Sequence, residues 1–466
     1  MYDRYGSYVL PAGETFFSSD SVGLRFMLQD GSGNMVTIAG AVRMPGSDGY
    51  PATVDTAQGI SLNYQQPTDG VFHIAAGGEV HVEVAKGQAE GVVSVWAPQV
   101  VNDGVVWVSS SALAEGFALG ERLDNTTPDF INRGTITVLS GDAAVGVGLG
   151  NGGTIINSGT ISASGPRQAI GLTAIYQAPG QGQPTSLDNS GVIRATSSAA
   201  HDGIAAWIVS TFGVGVTNSG LLEGDVALRV SGSAMGGGAW EVKNTGRMIG
   251  QVRLSDSADH FVNSGSVTGD VTLGAGGDVY DGRLGSATGM VGGGDGDDTL
   301  MGGAGFDYLQ GNAGADSEAG GAGDDWVVGG QGNDQLSGGD GNDVVYANLG
   351  DDTLAGDAGN DWVRGGQGND LLTGGAGDDW LSGDKGDDTI SGGAGADIFH
   401  SFGDAGLDRV TDFNAGEGDR VQLDPGTTYS VAQVGSDTVI SMTGGAVMTL
   451  VGVSMASLPT GWIFVG

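Results

Sequence analysis

Apolar residues return every nine positions between Gly293 and His400, where the chain divides without insertion into twelve nonapeptides of the form G-G-x-G-x-D-x-apolar-x. The eighth place holds Leu300, Leu309, Glu318, Val327, Leu336, Val345, Leu354, Val363, Leu372, Leu381, Ile390 and Phe399, apolar in eleven units of twelve. A single apolar side chain flanked by polar ones reads as a three-residue strand with one residue turned inward, and the glycine-rich remainder as a tight turn. Two units then close a coil of 18 residues. Glu318, the one misfit, is expected to open its coil locally.

Upstream, a looser pattern recurs around Asn-x-Gly, set after an apolar pair and before a β-branched or aliphatic residue. The asparagines are Asn102, Asn132, Asn157, Asn189, Asn218, Asn244 and Asn263, at spacings of 30, 25, 32, 29, 26 and 19 residues. Drifting periods of this size suit coils of a parallel β-helix, whose loops vary while the strands keep stacking. The Asn is read here as a turn residue that bonds its own backbone, and the Gly as the residue taking positive φ. Residues 1–95 carry strand-like runs between Gly, Pro and Asp turns and read as an N-terminal β module. Residues 96–292 read as the β-helix and 293–400 as the nonapeptide roll. Alternating strands in 401–466 read as a cap that hides the last coil and as a secretion-signal region. The fold class is thus all-β: a parallel β-helix, a parallel β-roll and a C-terminal β cap.

The sixth place never varies: Asp298, Asp307, Asp316, Asp325, Asp334, Asp343, Asp352, Asp361, Asp370, Asp379, Asp388 and Asp397. In stacked coils each Asp faces its counterpart 18 residues on, at a strand separation of about 4.8 Å. Two such carboxylates repel unless a cation lies between them. Calcium fits, since it takes six to eight oxygen ligands, supplied here by carboxylates and by carbonyls that the glycines leave exposed. Aspartates at the fifth place, such as Asp297, Asp324, Asp351, Asp378 and Asp387, add negative potential.

Composition supports a metal partner. There are 92 glycines among 466 residues, no cysteine, and 55 Asp plus Glu against 17 Lys plus Arg, a formal charge of −38. That sign argues against nucleic acid and anionic membrane surfaces. Without cysteine, disulfides and thiol chemistry are excluded, so an extracellular chain needs another staple. The repeat block alone has 22 acidic side chains and only Arg364 and Lys385 as bases, which keeps it expanded until cations arrive. No basic-then-apolar leader opens the sequence and no apolar run reaches membrane-spanning length. Export without a cleaved N-terminal signal is therefore expected if the chain leaves the cell.

The nonapeptides resemble the RTX, or haemolysin-type calcium-binding, repeats of secreted bacterial proteins. The resemblance implies a β-roll holding on the order of ten calcium ions between alternate repeats. It implies ligation by the twelve sixth-place aspartates and by carbonyls of Gly303, Gly305, Gly321, Gly323, Gly330, Gly332, Gly339, Gly341, Gly366, Gly368, Gly375, Gly377, Gly393 and Gly395. The run that begins ADIFHSFGDAGLDRVTDF is similar to the segment following such repeats in type I secretion substrates, and implies Asp408 and Asp412 as further ligands. Ala347-Asn348 in place of Gly-Gly, and Asp357 and Asp384 in place of the second glycine, mark loops whose geometry could differ.

Sorting the outward seventh place by parity separates two faces. Odd units give small or polar residues, whereas even units give Tyr308, Trp326, Val344, Trp362, Trp380 and Ile398, with Val328 and Tyr346 added at the ninth place. An aromatic ladder on one face is expected to meet another chain, or else a terminal module of this one. The five histidines are isolated in the sequence, and neither H-E-x-x-H nor G-x-S-x-G occurs. The reading is of a secreted, calcium-binding structural protein without a recognisable catalytic constellation, self-associating in a surface layer or biofilm matrix or acting as an adhesin. The alternative is a polysaccharide-active enzyme of lyase or epimerase type that uses the β-helix surface. Expected partners are further copies of the chain or a cell-surface polysaccharide.

Overall fold

The computed structural model describes residues 239–466 throughout. Before them it describes 71–84, 88–94, 99–119, 129–150, 153–176, 186–198, 203–210 and 215–232, together with the strands that precede residue 71. The described residues are almost entirely strand, with one 3-10 turn at Met455–Ser457. They fall into two compact units, Met1–Ser257 with Gly265–Gly269, and Ala258–Ser264 with Asp270–Gly466.

The first unit is a parallel β-helix whose coils carry three strands, as in Asp129–Asn132, Thr135–Ser140 and Ala143–Leu149. Each strand pairs in parallel with its equivalent one coil on, so like residues stack. Phe130, Ile155, Leu187, Val216 and Val242 form one inward file and Ile136, Ile161, Ile193, Leu222 and Met248 another, all at most 1% exposed. Full burial of each such side chain contributes roughly 1.5–3 kcal/mol. The ladder runs across residue 95, where the sequence reading ends an N-terminal module: Val71–Ile74 pairs with Gln99–Asn102, and Glu79–Val84 with Val105–Ser110.

The recurrent asparagines do bond their own backbone, Asn102 Oδ1 accepting from Gly104 N–H at 3.2 Å, but they also build a ladder between coils that the sequence does not show. Asn102, Asn132, Asn157, Asn189, Asn218 and Asn244 are fully buried and stack, each amide Nδ2 donating to Oδ1 of the next at 2.7–2.8 Å. The following glycines do not adopt positive φ. Glycine is required for closeness: a Cβ on Gly134, Gly159, Gly191 or Gly220 would lie 2.0–2.1 Å from the carbonyl oxygen of the glycine one coil back.

In the second unit the coils shorten to 18 residues and two strands. Consecutive nonapeptides alternate between two parallel sheets, Thr299–Met301 in one and Tyr308–Ala313 in the other. Every eighth-place residue from Leu300 to Phe399 is at most 3% exposed. Glu318 does not open its coil but stays in register between Leu300 and Leu336, itself 2% exposed. The core is closed off by Ile440, Met448 and Leu450 of an antiparallel meander, Tyr429–Val434, Asp437–Met442 and Val447–Leu450, whose last strand pairs in parallel with Leu407–Val410.

Candidate metal centre

The short strand that follows each sixth-place aspartate holds that residue at the mouth of its loop, with the carboxylate turned under the coil. All twelve are at most 5% exposed. Each amide N–H donates to Oδ1 of the aspartate one coil on: Asp298 to Asp316, Asp325 to Asp343, Asp343 to Asp361 and Asp361 to Asp379, all at 2.8 Å. The second oxygen has no such use. Oδ2 of every sixth-place aspartate except Asp307 is buried without a hydrogen-bond partner.

The glycines explain where that oxygen lies. A Cβ on the first-place Gly311, Gly329, Gly365 or Gly383 would come within 2.0–2.3 Å of Oδ2 of its own unit's aspartate. The carboxylate therefore rests on a bare Cα. At the fourth place a Cβ on Gly332, Gly350, Gly359 or Gly368 would sit 1.5–1.9 Å from the carbonyl oxygen one coil back, so the turns stack carbonyl over Cα. Second-place residues take left-handed φ almost throughout, and this includes Asn312, Asn348, Asp357 and Asp384, at φ of 83°, 85°, 76° and 69°. Asn and Asp are the side chains that tolerate this region best, so these substituted loops keep the glycine conformation.

Fifth-place residues form a second, exposed ladder of opposite sense. The carboxylate of Asp351 accepts from Asn369 N–H at 2.7 Å, and that of Asp378 from Ala396 N–H at 2.8 Å. Each turn is thus tied to both of its neighbours.

Burial dominates the electrostatics. It pushes Asp316, Asp370 and Asp379 up to about 7, opposed by the backbone hydrogen bond each accepts and reinforced by neighbouring aspartates. Asp352, Asp361 and Asp397 rise to about 6 for the same leading reason. Such groups need a proton or a cation. Among the described residues no three acidic or histidine side chains converge on one point. A cation here would take most of its ligands from the carbonyls of the turns, as a hard oxygen-seeking ion such as calcium does. The orphaned Oδ2 oxygens and the glycine turns fit that ion.

Downstream, Asp408 and Asp412 part company. Asp408 is 2% exposed and lies beside Asp388; burial and then the Asp388 charge push it up to about 8. Asp412 is not in the stack: its carboxylate accepts from Gly392 and Gly393 N–H at 3.0 Å and from Ser391 Oγ at 2.5 Å, clasping the last regular turn. Asp419 continues the stack instead, its Oδ1 accepting from Asp397 N–H at 3.1 Å. Sequence reading missed it because the step is 22 residues rather than 18.

The seventh-place aromatics stack in register, Tyr308 on Trp326, Trp326 on Val344, Val344 on Trp362, and Trp362 on Trp380. Trp326 is 49% and Trp362 51% exposed. At the far end of this ladder Trp380 Nε1 donates to Gln422 of the C-terminal segment at 3.0 Å, and its ring stacks on His400 at 4.9 Å.

The histidines are less isolated than the sequence suggests. His73 bonds Asp103 at 2.7 Å and His81 packs on Trp107. His400 bridges Ser382 and Asp424 at 3.2 and 3.1 Å. His201 lies outside the described residues. Several scattered bases are paired: Arg167 with Asp142 at 2.7 Å and Arg194 with Glu223 at 2.6 Å.

Residues 292–317, 319–354, 346–381 and 373–401 match the family of RTX calcium-binding nonapeptide repeats in four copies. No curated protein matches the chain. Among solved structures, extracellular lipase LipA from Serratia marcescens aligns at 22% identity over 41% of this chain and 40% of that one, with a TM-score of 0.24. The chain thus spans well under two thirds of the length of that protein. The nonapeptide block binds calcium, and several ions at once. Among the described residues no helix is long and apolar enough to cross a membrane.

Proposed function

We propose that this chain, whose residues 292–401 are RTX calcium-binding repeats, is a secreted structural protein that completes its fold in calcium and then self-associates. A surface layer, biofilm matrix or adhesive coat is the setting, and type I secretion the route. One observation carries the reading: the buried carboxylates with an orphaned oxygen share their coils with an exposed aromatic file. Each calcium site held at about 100 times its dissociation constant adds roughly 2.7 kcal/mol, so several sites together govern folding. Cytosolic calcium is too low to fill them, which keeps the chain exportable. The sixth-place aspartates with an orphaned Oδ2, Asp408 and the stacked turn carbonyls are the ligands, and Tyr308, Trp326, Val344, Tyr346, Trp362, Trp380 and Ile398 the contact surface. The same segments act as separate parts: β-helix, calcium roll and cap.

A second reading, an enzyme acting on a polysaccharide, is favoured by one pair. Glu90 and Glu115 are register partners on neighbouring coils, and Glu115 is pushed up to about 7, by burial first and then by the Glu90 charge. A carboxylic acid still partly protonated at neutral pH beside a second carboxylate is a usable general acid.

Negative-stain electron microscopy of the purified chain with and without millimolar calcium separates the two. Ordered sheets or filaments that need calcium support self-association. Monodisperse particles that depolymerise alginate or pectin support the enzyme and overturn the first reading.

A further inference from the structure

The ends of the two cation files do not coincide with the ends of the sequence motif. One coil before the regular repeats, Gly274 to Asp278 runs Gly-Ala-Gly-Gly-Asp, with Leu273 where the motif has its first glycine. Its backbone nevertheless adopts the metal-turn conformation: φ is 125° at Gly274 and 124° at Gly276, against 126° and 129° at Gly294 and Gly296 of the first regular unit. The two turns stack as the later ones do, for a Cβ on Gly294 or Gly296 would lie 1.7 or 1.9 Å from the carbonyl oxygen of Gly274 or Gly276. Asp278 N–H donates to Asp298 Oδ1 at 2.7 Å. Asp278 is 1% exposed, and its Oδ2, like that of Asp298, has no partner.

The turn from Gly302 to Asp307 behaves in the opposite way. It matches the motif at every glycine, yet neither Gly303 nor Gly305 takes left-handed φ. Gly303 N–H donates to Asp307 Oδ2 at 2.7 Å, so the oxygen that every other sixth-place aspartate leaves unpartnered is taken here. One coil back its edge holds Gly282 to Gly285, where Arg283 pairs with Asp281 at 2.7 Å and no aspartate stacks beneath Asp307.

We infer that a divalent-cation site lies between the turn of Asp278, which precedes the recognised repeats, and that of Asp298, and that the motif-perfect turn of Asp307 holds none. The file on one edge starts a coil early and the file on the other a coil late, at Asp325. This inference rests on the reading that orphaned Oδ2 oxygens mark the ligands.

The test counts tightly bound calcium per chain by equilibrium dialysis on the full-length protein and on Asp278→Asn, Asp307→Asn and Asp343→Asn. The expected result is one ion fewer for D278N, the wild-type count for D307N and a reduced count for D343N. A full count in D278N, or a loss in D307N, overturns the inference. A full count in D343N overturns instead the underlying reading of the carboxylates. Should D278N lose several ions through unfolding, calcium anomalous scattering from wild-type crystals decides: a peak flanked by Asp278 and Asp298 supports the site, and its absence overturns it.

Discussion

Asp361 N–H donates to Asp379 Oδ1 at 2.8 Å, and Asp379 Oδ2 is left buried with no partner. One oxygen serves the protein and the other is reserved for a cation or a proton. Repeated along two edges, this division makes the need for a cation or a proton a property of the backbone stack rather than of any single loop.

Protons should therefore replace calcium in part. Folded-state values of about 7 for Asp316, Asp370 and Asp379 exceed the unfolded value of about 3.9. The folded chain then binds more protons than the unfolded one between about pH 4 and 7. The stability this contributes is complete below about pH 4 and is lost as pH rises through 7. In chelator, circular dichroism should show strand content and the thermal midpoint rising as pH falls from 8 to 5. A flat profile would count against the buried carboxylates.

Replacing Glu318 by Leu should stabilise the chain. Glu318 is sealed in an aliphatic file, and burial, followed by the charges of Asp316 and Asp334, raises its pKa well above the usual range. Removing an uncompensated buried carboxyl should add about 1–3 kcal/mol, visible as a higher melting temperature in saturating calcium.

Gly359→Ala and Gly305→Ala should differ sharply. A Cβ at Gly359 would lie 1.5 Å from Gly341 O at a φ of 135°, whereas one at Gly305 has nothing within 4 Å. Backbone strain alone should cost the first variant about 1–3 kcal/mol. Urea titration in calcium should show that loss, with the second close to wild type.

In the β-helix, Asn189→Ala removes the central member of the amide ladder. Asn157 Nδ2 then loses its 2.7 Å acceptor and keeps only the longer contacts to Gly159 O and Val192 O, and Asn218 Oδ1 loses its donor. Leaving buried amide groups without these partners should cost about 1–3 kcal/mol each. Amide hydrogen exchange of the strands Thr154–Asn157 and Gly215–Asn218 should report the loosening.

Trp362→Ala tests the exposed face. It should leave folding and calcium count unchanged, because the side chain is half exposed on the outer surface. Calcium-dependent assembly followed by light scattering should fall severalfold. Assembly at the wild-type level would remove this face from the contact.

Much of the second unit was legible because its phase never slips. An apolar eighth place and a fixed period of nine give the alternation of sheets, the inward file and the stacking of Tyr308, Trp326 and Trp362. Asp278 and Asp419 escaped because their steps are 20 and 22 residues, so only the coordinates bring them into line. The Asn-x-Gly pattern gave the coils but not the whole role of its residues. The bond of an Asn to its own backbone is legible locally, whereas the amide ladder needs the neighbouring coil, about 30 residues away. Glu318 was misjudged for a related reason: a stack held by coils above and below tolerates one bad residue that an isolated coil would not.

The amide of each sixth-place aspartate points toward the coil that follows it, and Asp397 finds its acceptor only in Asp419. No nonapeptide is therefore self-sufficient in the manner of a bead on a string. A chain cut anywhere between Asp298 and Asp397 would finish on a dangling donor, so the segment carrying Asp419 serves as the keystone of this edge.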